Sequence, residues 1–399
     1  MAESLSVRVP LKILTLNAIA AVGLQRLPKD RYSVGTDTAA PDAILVRSHD
    51  MHTMDIPPSV KAIGRAGAGT NNIPVDRMSQ RGAPVFNAPG ANANAVKELV
   101  IAALLIAARN LRPAVRYVDG LQGDDQALHK LVEDGKKHFA GIELPGRTLG
   151  VIGLGKIGSL VADAAIKLGM DVLGYDPEIT VDAAWSLPAQ VRKAHSIEEV
   201  LKAADFVTLH VPLVPATRNL VNAQRVQLMK KGAALLNFSR DGIVDNDAVL
   251  AGLADKRLHA YVCDFPAQKL LGQPQVVALP HLGASTREAE DNCAVMVADQ
   301  VRDFLEHGNI RNAVNFADVV MSRESAYRVA IANANVPNMV GQISTALARA
   351  GLNIHNMLNK SRGDLAYTLV DVDSAVPDTV IAELAAISGV LAVRYLPAT

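Results

Sequence analysis

Gly153-Leu154-Gly155-Lys156-Ile157-Gly158 directly follows the apolar run 148–152. In a strand-to-helix turn each of these glycines has its own mechanical task. The first makes the tight turn, the second lets backbone approach a pyrophosphate, and the third packs helix against strand. The helix start at Lys156 and Ile157 then offers free N–H groups to phosphate oxygens. Eighteen residues past Gly158 the next apolar run ends at Asp176, where a carboxylate can accept from a ribose 2′-OH. Strand, helix, second strand and terminal carboxylate in that order predict dinucleotide binding. Asp176 would repel a 2′-phosphate, so NAD is favoured over NADP. A second constellation is Asn237-Phe238-Ser239-Arg240-Asp241-Gly242 and Pro280-His281-Leu282-Gly283, each just past another apolar run. Hydride transfer involving a 2-oxo acid needs a cation to clamp the carboxylate and polarise the carbonyl. It also needs a proton donor that titrates near neutrality. Arg240 and His281 have that chemistry.

The elements that must hold these residues are readable as runs. From Arg147 onward, 148–152, 171–175, 206–210, 233–238, 259–264 and 276–279 are short apolar stretches separated by about 10–30 residues. That rhythm predicts βαβ units in a parallel sheet, with the ligand crevice beyond the carboxyl ends of the strands. Upstream, 12–16 and 43–46 read as strands, and 60–66 leads into Gly67-Ala68-Gly69-Thr70-Asn71-Asn72. Residues 94–110, rich in Ala, Leu and Ile and free of Gly and Pro, read as one long buried helix, a hinge element and dimer contact. The polar stretch 110–146 is expected to form exposed arms or connecting helices. Ser285-Thr286-Arg287-Glu288 looks like a capping box opening a helix to Glu306, closed by Gly308. A linker is expected over 309–326. The remaining residues give strand, helix, strand, strand, helix, strand, a ferredoxin-like βαββαβ pattern.

Composition removes several function classes. The chain has 399 residues, enough for two or three domains. Its 40 Lys+Arg balance 40 Asp+Glu, so it lacks the basic surplus of a nucleic-acid binder. With 49% hydrophobic and 20% charged residues, disorder is excluded as a global description. The two cysteines, Cys263 and Cys293, give neither a disulfide framework nor a four-ligand zinc site and read as buried small hydrophobes. The ten histidines show no metal-ligand spacing, so no metal is expected. The longest charge-free apolar run, 99–108, is too short to cross a bilayer. No leader sequence is read at the N-terminus, and a cytoplasmic location with no membrane partner is expected.

These motifs together resemble the D-isomer-specific 2-hydroxyacid dehydrogenases. The resemblance is carried by Gly-Leu-Gly-Lys-Ile-Gly, by Leu209-His210-Val211-Pro212-Leu213 with Thr217, by Asn-Phe-Ser-Arg-Asp-Gly-Ile-Val-Asp, and by Pro-His-Leu-Gly-Ala-Ser-Thr. It covers about residues 10–315, and the tail is similar to an ACT regulatory domain. Ile44-Leu45-Val46-Arg47-Ser48 and Gly64-Arg65-Ala66-Gly67-Ala68-Gly69-Thr70-Asn71-Asn72 resemble the substrate loops of members that act on 3-phospho-D-glycerate. The resemblance implies an α/β fold with two Rossmann-like parallel-sheet domains and an ACT-like tail. Residues 1–93 with 284–318 would bind substrate, 94–283 would bind NAD, and 327–399 would regulate. It implies NAD-dependent oxidation of 3-phospho-D-glycerate to 3-phosphooxypyruvate, the entry to serine synthesis, by a homodimer or homotetramer. By the same match Arg240 would hold the substrate carboxylate and carbonyl, His281 would exchange a proton with the hydroxyl, and Asp264 would face the nicotinamide end. His210, Val211, Pro212, Thr217, Phe238, Ser239, His281 and Gly283 would line the cofactor crevice. Arg47, Ser48 and Arg65 would reach the substrate phosphate, with Ala68 and Gly69 giving N–H groups to its carboxylate. Two arginines beside a glycine-rich loop suit a small dianion on physical grounds as well.

Three departures stand out. The family has a Glu about five residues after the Asp264 position, pairing with the catalytic His; here the stretch reads Asp264-Phe265-Pro266-Ala267-Gln268-Lys269. Either Asp264 takes over the orienting role or His281 works without a carboxylate, which would lower its pKa. Asp241 stands where members commonly have Gly. In the tail, Asn333, Asn335 and Asn353 are expected to cluster as a serine effector site, yet Asn335-Val336-Pro337-Asn338 lacks the family's Gly after Pro. Two other readings stay open: a reductase of glyoxylate or hydroxypyruvate, and a dinucleotide-sensing protein without catalysis.

Overall fold

The computed structural model describes residues 9–398; the N-terminal stretch read for a leader lies outside the described residues. The chain divides into two compact units, Ala93–Thr286 and the segments on either side of it. In the flanking unit, β1 (Leu11–Leu16), β2 (Tyr32–Gly35), β3 (Ala43–Val46), β4 (Ala62–Arg65) and β5 (Val85–Phe86) form a parallel sheet ordered β2-β1-β3-β4-β5. All four residues of β3 are buried, as expected for a parallel strand covered on both faces. One cover is the helix Arg287–His307, which buries Cys293, Val297, Val301 and Phe304. Gly64 is needed at that seam, because a Cβ there would lie 2.7 Å from Val297.

The inserted unit carries β6 (Thr148–Ile152), β7 (Asp171–Tyr175), β8 (Arg192–Lys193), β9 (Phe206–Leu209), β10 (Ala233–Asn237), β11 (Leu258–Cys263) and β12 (Val276–Ala278). Every pairing is parallel and the order is β12-β11-β10-β9-β6-β7-β8. The order reverses direction at β6, which makes its carboxyl end the switch point where such sheets bind ligands. The expected strands of the two parallel sheets lie within two residues of those observed; β2 was not read, and the two-residue edge strands β5 and β8 were too short to read. The helix Ala93–Ala108 presents Val96, Val100, Ala103, Leu104 and Ala107 to the core, at helical spacing. The polar stretch after it forms exposed helices at Leu111–Asp119 and Asp125–Gly135.

The C-terminal pattern is realised as β13 (Tyr327–Ala334), β14 (Ile354–Arg362), β15 (Leu365–Val372) and β16 (Val390–Pro397), antiparallel in the order β14-β15-β13-β16. Alternation along β13 sends Val329 and Ile331 toward Ile343, Leu347 and Leu384 of its own helices. Ala330 and Ala332 point the other way, into the core with Phe304 and Phe316. The expected linker over 309–326 is therefore packed structure: Ile310, Ala313, Phe316, Val319 and Met321 are buried in that same core. Arg328 and Asp371, both fully buried, pair bidentately at 2.6 and 2.8 Å. Arg328 also donates to the carbonyls of His307, Met321 and Ser322.

Candidate active site

The residues singled out in the inserted unit all sit at one edge of its sheet. The last residues of β7, β6, β9, β10, β11 and β12 (Tyr175, Ile152, Leu209, Asn237, Cys263 and Ala278) pair as a single row. Asp176, the glycine turn, His210, Ser239, Asp264 and His281 follow it within one to three residues. In-register strands thus convert six distant sequence positions into one line of loops.

The glycine turn behaves as its three tasks require. Gly153 has φ +94°, and a Cβ there would meet the carbonyl of His210 at 2.5 Å. At Gly158 a Cβ would lie 2.0 Å from the carbonyl of Gly153, so helix and strand close together only without a side chain. Gly155 is different: nothing of the protein lies within 4 Å of its would-be Cβ. It caps Lys156–Lys167 with no side-chain acceptor, leaving the N–H groups of the first turn directed at that open space. Asp176 accepts from the N–H of Leu154 at 2.8 Å and of Glu178 at 3.0 Å, which fixes its carboxylate against the turn. Open backbone, an uncapped helix start and an oriented carboxylate fit a dinucleotide's pyrophosphate and ribose.

Arg240 is exposed just past β10. Its Nη1 donates to the carbonyl of Ser239 at 2.7 Å, and Asn237 Nδ2 holds the Arg240 carbonyl at 3.0 Å. Ser239 is anchored in turn through Oγ to the Leu209 carbonyl at 2.6 Å. Asp241 needs no glycine conformation here; the left-handed residue of the turn is Gly242, at φ +80°. His281 is exposed, with a left-handed backbone at φ +56°. Asp264 explains how that geometry holds. Its carboxylate accepts from the N–H of Leu282 and of Gly283, both at 2.7 Å. Burial pushes the Asp264 carboxyl up, and those backbone donors pull it back toward the charged form. The His281 ring packs edge-on against Phe265 at 5.2 Å and makes no hydrogen bond among the described residues. Asp264 therefore orients the loop through its backbone, and Lys269, where the family has Glu, pairs with Asp247 at 2.6 Å.

Beside the glycine turn, His210 Nε2 shares a 3.0 Å hydrogen bond with Thr208 Oγ1, while its Nδ1 is buried without a partner. Burial pushes His210 down to about 3, so the ring is neutral and Nδ1 has unused hydrogen-bonding capacity at this edge. Val211 is half-buried and Pro212 exposed. Thr217 Oγ1 ties the loop by donating to the Pro212 carbonyl at 2.5 Å. Phe238 is buried.

Arg47, Ser48, Arg65, Ala68 and Gly69 belong to the flanking unit, past the ends of β3 and β4. A Cβ at Gly67 would lie 1.6 Å from Arg65 Nη1, so the guanidinium rests where only glycine leaves room. Arg47 Nη2 pairs with Glu290 at 2.6 Å. Glu290, Asn17 and Asn87 were missed, and Asn72 of the glycine-rich turn joins the two asparagines in holding these loops. Asn17 accepts from the N–H groups of Ser48 and His49, Asn72 donates to the His49 carbonyl, and Asn87 donates to the Ala68 carbonyl at 2.6 Å. Asn17, just past β1 with φ +65°, carried the only readable signal, an Asn directly after an apolar run.

The three tail asparagines do not cluster within the chain. Asn333 and Asn335 lie at the carboxyl end of β13, where Asn335 Nδ2 donates to the Gly363 carbonyl. Asn353 lies at the far end of the sheet, its N–H donating to Asp373. The crossover helix Met339–Arg349 returns the chain to the starting edge before β14 begins, which separates them by a strand length. Asn338, in place of the family's Gly, takes the left-handed conformation that Asn tolerates, φ +63°.

Comparison with known proteins finds relatives of one family. Residues 101–283 match the model of the D-isomer specific 2-hydroxyacid dehydrogenase NAD binding domain. A D-3-phosphoglycerate dehydrogenase of Haemophilus influenzae is 32% identical over 351 residues, 85% of this chain and 82% of that protein. The enzyme of the same name from Methanocaldococcus jannaschii is 38% identical over 70% of this chain, but the chain spans only about half of it, 52%. An NAD-bound 3-phosphoglycerate dehydrogenase structure from Entamoeba histolytica covers 77% of this chain with TM-score 0.59 at 24% identity, a likeness of fold alone. With its NAD-binding domain and a relative matched over most of both lengths, the chain belongs to the D-isomer specific 2-hydroxyacid dehydrogenase family.

Proposed function

We propose that this chain oxidises 3-phospho-D-glycerate to 3-phosphooxypyruvate with NAD, the first step of L-serine biosynthesis. The observation that carries the reading is the single row of strand ends bearing the open glycine turn, Arg240 and His281. In the oxidising direction Arg240 binds the substrate carboxylate and polarises the C2 oxygen, and His281 accepts the hydroxyl proton as the C2–O bond becomes a carbonyl. NAD, held at the glycine turn and Asp176, supplies the acceptor for the C2 hydride. Asp264 keeps His281 in place through the loop backbone. In the flanking unit Arg47 and Arg65 provide paired cations for a phosphate dianion, with Ser48 and the Ala68–Gly69 N–H groups beside them. Residues 94–283 serve as the NAD domain, 1–93 with 284–318 as the substrate domain, and 327–399 as an ACT-like domain.

The remaining parts of the reading are a cytoplasmic homodimer or homotetramer and an L-serine effector site in the tail. No helix among the described residues is long and apolar enough to cross a membrane. Because Asn335 and Asn353 lie at opposite ends of one sheet, a serine contacting both needs a second copy of the domain. The reading is tested by NADH formation from 3-phospho-D-glycerate, with hydrazine present to trap the 2-oxo acid. Wild type should turn over, and Arg240→Ala should lower kcat/KM roughly 1,000-fold while still binding NADH. Wild type that binds NADH but forms none from this substrate overturns it.

A further inference from the structure

The inserted unit has a second concavity at the other edge of its sheet, where β10, β11 and β12 begin. Its volume is about 560 Å³, within the usual size of small-molecule sites. Ile106, Phe139, Leu258 and Val277 are among the residues that give it apolar walls. The charged side chains that line it are all basic. Arg112, Lys231 and Lys256 converge on it with His138 and His259, and no Asp or Glu is among its lining residues. Among the described residues none of these three cations forms an ion pair, although Lys230, next in sequence to Lys231, pairs with Asp205. Arg112 is half-buried with Arg116 as a like-charged neighbour, and both effects lower its pKa. Asn110 organises the mouth: Nδ2 donates to the Ala140 carbonyl at 3.0 Å, and Oδ1 accepts from His259 Nε2 at 2.7 Å.

We propose that this cavity binds an organic anion, its apolar body against Phe139 and Leu258 and its phosphate or carboxylate on Arg112, Lys231 and Lys256. Converging cations without counter-charges repel one another, and an anion relieves that repulsion while the walls gain by losing water. The site is separate from the carboxyl edge and does not depend on the oxidoreductase reading.

The test is calorimetric titration of the full chain with octyl phosphate while NADH fills the cofactor crevice. Saturable binding of one octyl phosphate per chain is expected, weakening as salt is raised. A Lys231→Glu/Lys256→Glu variant, and separately Arg112→Glu, should each bind at least tenfold more weakly with unchanged circular dichroism. Octyltrimethylammonium, with the same chain and opposite charge, should give no saturable heat. The proposal is overturned by absence of saturable binding, including closure of the cavity by a second copy. Equal binding of the cation, unchanged affinity in both variants, or binding only when NADH is absent overturn it too.

Discussion

His281 shows how much of a candidate catalytic residue's placement is set by backbone. Its left-handed φ is held where Asp264 takes the next two N–H groups, so the carboxylate fixes the loop backbone from which the ring projects. Asp264→Asn offers one acceptor oxygen where two are used, and kcat should fall about tenfold with NADH affinity nearly unchanged. His281→Gln should fall further, by roughly 100- to 10,000-fold in kcat, because it removes the group proposed to accept the hydroxyl proton. Stopped-flow hydride transfer beside NADH titration separates the two. The glycines divide just as sharply. Gly155→Val should leave the melting temperature almost unmoved and weaken NADH binding at least tenfold, since its would-be Cβ meets only open space. Gly158→Ala should instead unfold the chain at lower temperature, its Cβ being driven into the Gly153 carbonyl.

At the scale of elements, strands deliver loops and a helix end needs partners. The last carbonyls of Arg287–His307 are taken by the C-terminal sheet: Arg394 donates to Phe304 and Leu305 and lies over the Phe304 ring, while Tyr367 donates to Gly308. Arg394→Ala should cost about 2–4 kcal/mol in urea unfolding through lost capping and packing. Breaking the buried pair with Asp371→Ala should cost about 3–5 kcal/mol, because Arg328 is left charged without its carboxylate. The strand-end residue His210 carries a pH dependence. Its folded value of about 3 lies below the ordinary ~6.5, so between these limits the unfolded chain binds the extra proton. Stability should therefore fall as pH drops below ~6.5, and His210→Gln should flatten part of that fall in denaturant titrations at pH 7 and pH 5.

Across the whole chain, legibility followed the range of the interactions involved. The glycine turn, Asp176 and the βαβ rhythm were legible because turn chemistry and apolar periodicity act within about 20 residues. So was the βαββαβ order of the tail. Arg240 and His281 were legible as chemistry, but their alignment depends on β10, β11 and β12 lying in register, and register is settled by packing. Glu290 against Arg47, and Asp371 against Arg328, join positions 243 and 43 residues apart, and no local pattern announces either pair. The expected clustering of Asn333, Asn335 and Asn353 failed for the same reason: nearness in sequence says nothing about which sheet edge a crossover returns to. Sequence alone determined the α/β class, the dinucleotide turn and the residue types of the candidate site, because these rest on backbone sterics and side-chain chemistry. Only the tertiary structure decided that 309–326 is core, that Asp264 serves His281 through backbone, and that a basic cavity opens at the opposite sheet edge. Those outcomes arise when distant segments exclude water together, and that energy belongs to no single stretch of chain.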